Sequence, residues 1–255
     1  MSNTVRFGSL AVIALGMAVG MGAAPTTSAP SATALAATQP ATPATLPDDE
    51  QKDGFRLLFD GVTTTGWRQL GGKPFPAGWD VQDGTLHHKP RGGGGDITTE
   101  DLFENFELRF DFKIAANGNS GLKYRVVEVP NSTGALGIEY QIVDPKSASA
   151  DNKGKHALGS LYELVEAKVA DPKPAGEWNQ GRIIVQGNHF EHWLNGVKLA
   201  EIDFGSEAWK TAFAASKWAR SNPDFASQPK GHIILQDHTD EVWFRNIRVK
   251  ELKAK

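Results

Sequence analysis

From Phe55 onward the chain alternates apolar and polar residues in short runs, the two-residue period of extended strands. "FELRFDFKI" (Phe106 to Ile114) sets Phe106, Leu108, Phe110, Phe112 and Ile114 on one face, and Glu107, Arg109, Asp111 and Lys113 on the other. Such a strand covers a core with one side and meets water with the other. In "IEYQIVD" (Ile138 to Asp144), Ile138, Tyr140 and Ile142 oppose Glu139, Gln141 and Val143, which puts a carboxylate mid-strand behind an apolar face. "RIIVQGNHFEHWLNGVKLAEIDF" (Arg182 to Phe204) carries two turn signals, Gly187-Asn188 and Asn195-Gly196. The second suits a type I′ hairpin turn, so three strands in a meander are predicted. "HIILQDH" (His232 to His238) and "VWFRNIRVKEL" (Val242 to Leu252) add two more, the last expected to pair with "FRLLF" (Phe55 to Phe59). One segment looks helical, "SEAWKTAFAASKWAR" (Ser206 to Arg220), with Ser206 as N-cap and Pro223 ending it. The prediction is an all-β fold: a two-sheet antiparallel β-sandwich of jelly-roll type with one short inserted helix.

The start of the chain obeys a different pattern. Arg6 precedes the apolar run "LAVIALGMAVGMGAA", too short and Gly-rich for a membrane span, with small residues after it. A secretory signal peptide is expected over residues 1–36, with "AAP" (Ala23 to Pro25) and "ALA" (Ala34 to Ala36) as alternative cleavage points. An Ala/Thr/Pro-rich linker (37–52) and a β-sandwich domain (53–255) follow, and the protein is predicted to be periplasmic or secreted. The 255 residues include no cysteine, so core burial and not disulfides must stabilise the exported domain. A net charge of -3 carries no basic excess, which argues against a nucleic-acid partner.

Candidate chemistry comes from three strands read together. "NSGLKYRVVE" (Asn119 to Glu128) places Leu122, Tyr124 and Val126 on one face and Lys123 and Arg125 on the other, while Ile234, Gln236 and His238 share a face of "HIILQDH". If these strands adjoin the one bearing Glu139, then Lys123, Arg125, Glu139, Gln141, Gln236 and His238 share a surface suited to a polyhydroxylated ligand. Alternation alone equally describes an ordinary solvated sheet face with weak cross-strand ion pairs. The adjacent His87 and His88 point to opposite sides of a strand and are expected at the surface, and "RGGGGD" (Arg91 to Asp96) reads as a flexible loop without a phosphate-loop signature. No Gly-x-Ser-x-Gly elbow occurs, and "EIDFG" (Glu201 to Gly205) begins like a paired-carboxylate strand but ends in Gly. Asp96, Glu139, Asp237 and His238 offer ligand atoms at spacings that match no metal motif, so neither metal nor cofactor is predicted.

The ordered segments "FRLLFDGVTTTGW", "GWDVQDGTLHH", "GGDITTEDLFENFELRFDFKI", "NSGLKYRV", "GIEYQIVD", "GEWNQGRIIVQGNHFEHWLNG" and "KGHIILQDHTDEVWFRNIRVKEL" resemble the 3-keto-disaccharide hydrolase domain, long known as domain of unknown function 1080. The resemblance runs from about Phe55 to Leu252. It implies a concanavalin A-like jelly roll acting on a small-molecule carbohydrate, a glycoside oxidised to a ketone at carbon 3. A 3-ketone acidifies the hydrogen on carbon 2, whose removal lets the enolate expel the glycosidic oxygen. On that reading Glu139 is the base, Arg125 with Lys123 stabilises the enolate, and His238 is the acid or a second base; Lys123, Gln141, Gln236 and Asp96 bind substrate. Water then completes hydrolysis, or its absence makes the protein a lyase. The chain departs from the expected pattern at Thr239-Asp240, where Gly and then a polar residue would follow "LQDH". The alternative reading is a carbohydrate-binding module using the same face with Trp79 or Trp193, rings that core or hairpin packing accounts for better.

Overall fold

The computed structural model describes residues 43–128, 136–147, 152–168, 171–222 and 224–253. Within them two antiparallel sheets pack face to face. The larger has eight strands, in the order β11 (Val197–Asp203), β10 (His189–Leu194), β9 (Asn179–Gln186), β6 (Phe106–Ile114), β13 (Val242–Glu251), β4 (Thr85–His88) and β3 (Trp79–Gln82), with β1 (Arg56–Leu57) also pairing β13. The smaller has five, β2 (Trp67–Gln69), β5 (Ile97–Thr99), β12 (His232–Leu235), β7 (Asn119–Val126) and β8 (Ile138–Val143). The predicted meander is β9-β10-β11, turning at Asn195 (φ 47) and Gly196 (φ 84), both left-handed as a type I′ turn requires. The final strand meets the early one through Arg56 opposite Val249.

The apolar faces read from the alternation meet between the sheets. Phe110 of β6 stands edge-on to Tyr140 of β8 (5.5 Å, 84°), and Phe106 edge-on to Tyr124 of β7 (6.1 Å, 85°), the geometry that aromatic quadrupoles favour. Buried polar groups cross this core, His192 among them. His192 of β10 faces the Tyr124 hydroxyl through Nε2 (3.1 Å) and the carbonyls of Gly159 and Ser160 through Nδ1 (3.2 Å each), and burial lowers its pKa to about 3. A neutral imidazole thus ties the irregular segment after β8 to the larger sheet.

Three expectations need correction. The inserted helix is interrupted: α2 (Glu207–Ala214), whose N-cap Ser206 accepts from Trp209 N at 3.1 Å, is separated from α3 (Trp218–Ser221), and Pro223 lies outside the described residues. Residues 37–52 are not wholly a linker, because Asp48–Lys52 form helix α1. Its Glu50 is buried between Arg109 (2.7 Å) and Arg248. The polar face of β6 is therefore covered: Glu107 and Asp111 are buried, Glu107 meeting Arg109 and Arg182 at 2.8 Å and Asp111 meeting Asn246 at 2.8 Å.

Candidate active site

Register in the smaller sheet decides which polar side chains meet. Ile234 stands opposite both Thr98 and Lys123, and Lys123 opposite Glu139. Direct cross-strand partners share a face, so these four make one row across the sheet. In the next row Gly121 faces Gln141, and the Gly121 carbonyl accepts from Gln236 N at 2.9 Å. Asp96, just before β5, closes that row: its Oδ1 accepts from Asp237 N at 2.9 Å, and its Oδ2 lies 3.9 Å from Lys123 Nζ. Lys123 Nζ is equally 3.9 Å from Glu139 Oε2. The predicted adjacency of the three strands is observed, and it gathers Asp96, Lys123, Glu139, Gln141 and Gln236 around Gly121.

Gly121 forms the floor of this cluster. A Cβ there would overlap Glu139 Oε1 and stand 3.0 Å from the carboxyl carbon, so the missing side chain is what lets Glu139 lie back over β7. Glu139 is only 6 % exposed, and burial pushes its carboxyl above the usual carboxylate range against the pull of Lys123. Burial raises Asp96 too, again opposed by Lys123. At 3.9 Å from each, the ammonium is an ion-pair neighbour of both carboxylates without a normal hydrogen bond to either. The Oε1 atoms of Gln141 and Gln236 are buried without a partner among the described residues, acceptors suited to hydroxyl donors.

Arg125 is not brought to this face. Between His232 and Ile234 the pairing of β12 with β7 shifts register, and Arg125 takes a left-handed φ of 53. This bulge inserts an extra residue and resets the alternation. Val126, expected on the core face, instead clusters with Ile234 and Leu70. The Arg125 guanidinium sits 4.7 Å from the Phe190 ring and donates to the Gly187 carbonyl at 2.5 Å. It braces a hairpin of the opposite sheet.

His238 lies at the rim, exposed, next to Asp237, whose N–H donates to Asp96. With Asn119, Gln141 and Asp240 it lines a cleft of about 310 Å³, at the lower end of the roughly 300–1,000 Å³ typical of small-molecule sites. The turn that carries it is held by Asp237, which accepts from Gly95 N (3.0 Å) and Thr239 N (2.9 Å). The "RGGGGD" loop is thereby fastened to the rim. Thr239 adopts φ 71, the conformation for which Gly was expected. A β-branched residue there is strained by about 1–2 kcal/mol, part of which the extra chain entropy of Gly offsets. Thr239→Gly is expected to raise unfolding free energy by about 0.5–1 kcal/mol in denaturant titration; an unchanged midpoint would show an unstrained turn.

The expected surface location of His87 and His88 is wrong, although they do point opposite ways. His87 stacks on Trp243 (5.1 Å, 12°) with its nitrogens 3.0 Å from Asp80 and Glu241. His88 is buried against Trp79, with Nδ1 donating to the Asp240 carbonyl (2.9 Å) and Nε2 3.0 Å from Asp237. Trp79 is a core residue. Among the described residues His189, Glu191 and Glu201 stand close enough to hold a metal, but they lie on the other sheet and Lys198 Nζ already meets both carboxylates, at 3.2 and 2.6 Å.

Sequence reasoning missed one wall of the site. Gly159 N donates to the Gln141 carbonyl (2.8 Å) and Tyr162 N to the Glu139 carbonyl (3.0 Å), so residues 159–162 extend the sheet beyond β8. Leu161 bridges Tyr140 on the core side. Tyr162 follows beside Glu139, with His156 stacked on its ring (4.7 Å) and Lys217 Nζ 3.1 Å from its hydroxyl. Turns at Gly159 (φ 79) and Glu163 (φ 68) erase the two-residue period that would have revealed it.

Comparison with known proteins agrees with this architecture. The chain is 32% identical over 229 residues to a 3-keto-disaccharide hydrolase of Bacteroides thetaiotaomicron, a match covering 78% of this chain and 79% of that protein. A candidate glycosyl hydrolase from Parabacteroides distasonis has a crystal structure that superposes with a TM-score of 0.75 at 33% identity, over 82% of this chain and 99% of that one. A second from the same organism gives 0.55 at 31% identity, over 73% and 99%. The family profile described as a 3-keto-alpha-glucoside-1,2-lyase-like domain matches residues 54–250, nearly all of the sandwich, and the chain belongs to that family.

Proposed function

We propose that this domain cleaves the glycosidic bond of 3-keto-glycosides by proton abstraction at carbon 2 and elimination, followed by hydration. The observation that carries the reading is the pair of buried carboxylates, Glu139 and Asp96, flanking Lys123 over a side-chain-free floor at Gly121. A carboxylate raised by burial is a stronger base, and an ammonium beside it stabilises charge as it develops on the ketone oxygen. Glu139 takes the carbon 2 proton, the C–H electrons form the enolate next to Lys123, and collapse of the enolate breaks the bond from carbon 1 to the glycosidic oxygen. The product is an enone; water adding at carbon 1 gives the keto sugar. Asp96 holds Lys123 from the other side, Gln141 and Gln236 accept from sugar hydroxyls, and His238 closes the rim. Arg125, aimed at Gly187, takes no part in the enolate step.

The family relationship and the relative's activity on a 3-keto-disaccharide support this substrate class. A binding module has no use for buried, raised carboxylates around an ammonium. Proton NMR of the domain with a 3-keto-glucoside and its unoxidised parent is the test: release of the leaving group from the keto sugar alone is expected, while binding of both without release would make the domain a carbohydrate-binding module. Gly121→Ala is expected to displace the Glu139 carboxyl and lower kcat about 100-fold at a stability cost of about 1–3 kcal/mol, read by kinetics and denaturation together. Unchanged kcat would mean that the carboxyl position is not critical.

A secretory leader over 1–36 and export to the periplasm or medium belong to the same proposal, which N-terminal sequencing of the mature protein from those fractions tests. Among the described residues no helix is long and apolar enough to cross a membrane.

A further inference from the structure

The elimination needs a proton for the departing oxygen, and the wall beyond β8 holds a group placed to give it. Because Leu161 bridges Tyr140, Tyr162 is the cross-strand neighbour of Glu139 and emerges on the same face. The Tyr162 N–H donates to the Glu139 carbonyl at 3.0 Å, which sets the ring and the His156 and Lys217 that flank it beside the base. His238, by contrast, follows Asp237, whose N–H donates to Asp96 at the other end of the row. A sugar over Gly121 thus has Tyr162 on one side and His238 on the other.

The Tyr162 hydroxyl is held for donation. Lys217 Nζ donates to its oxygen at 3.1 Å and lies 4.3 Å from the ring, and Glu163 braces the arrangement by accepting from Lys217 N (3.3 Å) and facing His156 Nε2 (2.9 Å). With an ammonium donating to the phenol oxygen, the phenol's own proton points elsewhere, and negative charge left on that oxygen is stabilised in place.

Resting on the elimination reading, we propose that Tyr162, held by Lys217, protonates the glycosidic oxygen as it leaves, so that the aglycone lies against the segment 154–163 and the junction of α2 and α3. As the bond from carbon 1 to oxygen breaks, its electron pair takes the Tyr162 proton. The phenolate beside Lys217 then recovers a proton from the water whose oxygen adds to carbon 1 of the enone, and the protonated Glu139, exchanged with solvent, protonates carbon 2 of the enolate so formed; both groups return to their starting states and the product is the keto sugar.

The test uses leaving groups that do and do not need a proton. Tyr162→Phe is assayed on 4-nitrophenyl and methyl 3-keto-glucosides, with Lys217→Met as a second variant and the melting temperature as a check on folding. The expected result is a loss of roughly 100-fold or more on the methyl glycoside and less than about 3-fold on the nitrophenyl glycoside, in the same direction for both variants. Equal losses on the two substrates would make Tyr162 a positioning or structural residue, and no loss on either would remove it from the reaction; both overturn the inference. Wild-type protein that cleaves neither keto substrate would overturn the elimination reading itself, an outcome distinct from a failure confined to the variants.

Discussion

Glu139→Gln is expected to lower kcat on a 3-keto-glycoside by roughly 10²–10⁴-fold, the range a general base contributes, without lowering the melting temperature at neutral pH. The two halves have one cause. Burial raises the folded-state pKa of Glu139 above its unfolded value, so the native state holds the proton over a window in which the unfolded chain has lost it. The stability this contributes is fully present below the unfolded pKa and is lost as pH rises through the folded one; above that window the buried charge is a net cost. Gln fills the same space without that cost, so the variant should match the wild type in acid and equal or exceed it at higher pH, a trade of stability for activity. Kinetics and melting curves across pH check both halves. A variant that keeps near wild-type kcat would remove Glu139 as the base, and one that melts several degrees lower would contradict the stability half.

Lys123→Met should have the next largest effect. Lys123 lies 3.9 Å from both Glu139 and Asp96 and lowers both, opposing the burial that raises them. Removing it deletes the cation at the ketone oxygen, a loss of about 3–4 kcal/mol in transition-state stabilisation if it acts as an oxyanion donor does, or roughly 10²–10³-fold in kcat. It also lets both carboxyl pKa values climb further. Because the base must be ionised, the acid limb of the kcat/KM profile should move to higher pH. The stability sign follows: with folded values further above the unfolded ones, the variant loses more stability as pH rises and shows its deficit at neutral and alkaline pH, not in acid. A rise in KM alone, with the acid limb unmoved, would make Lys123 a binding residue.

How far the site was legible follows from the physics of each element. Strands β6 and β8 obey strict alternation because one face of each lies against the other sheet, and that pressure is written directly in "FELRFDFKI" and "IEYQIV". Lys123, Glu139, Gln141 and Gln236 meet as alternation predicts because their strands carry no bulge where they meet. Arg125 does not, because a bulge depends on the partner strand. Its one trace is Gly231, where a Cβ would come within 2.7 Å of the Arg125 backbone, and a Gly before an apolar run marks an ordinary turn just as often. For His87 and His88, alternation tells opposite faces but not which face something covers; Trp79, Trp243 and the turn at Asp237 do the covering from elsewhere in the chain. Glu50 sat inside a stretch classed by composition, and composition does not register one carboxylate that two distant arginines hold. Tyr162 lay in a segment with no period at all, placed by backbone hydrogen bonds to β8 and by His192 from across the core.

The most direct test of the central claim is the fate of the carbon 2 hydrogen. Proton NMR of a 3-keto-glucoside with the domain in deuterium oxide should show deuterium at carbon 2 of the released keto sugar and in recovered substrate, with both signals lost in Glu139→Gln. Release of the leaving group with the carbon 2 hydrogen fully retained would contradict elimination and with it the role given to Glu139.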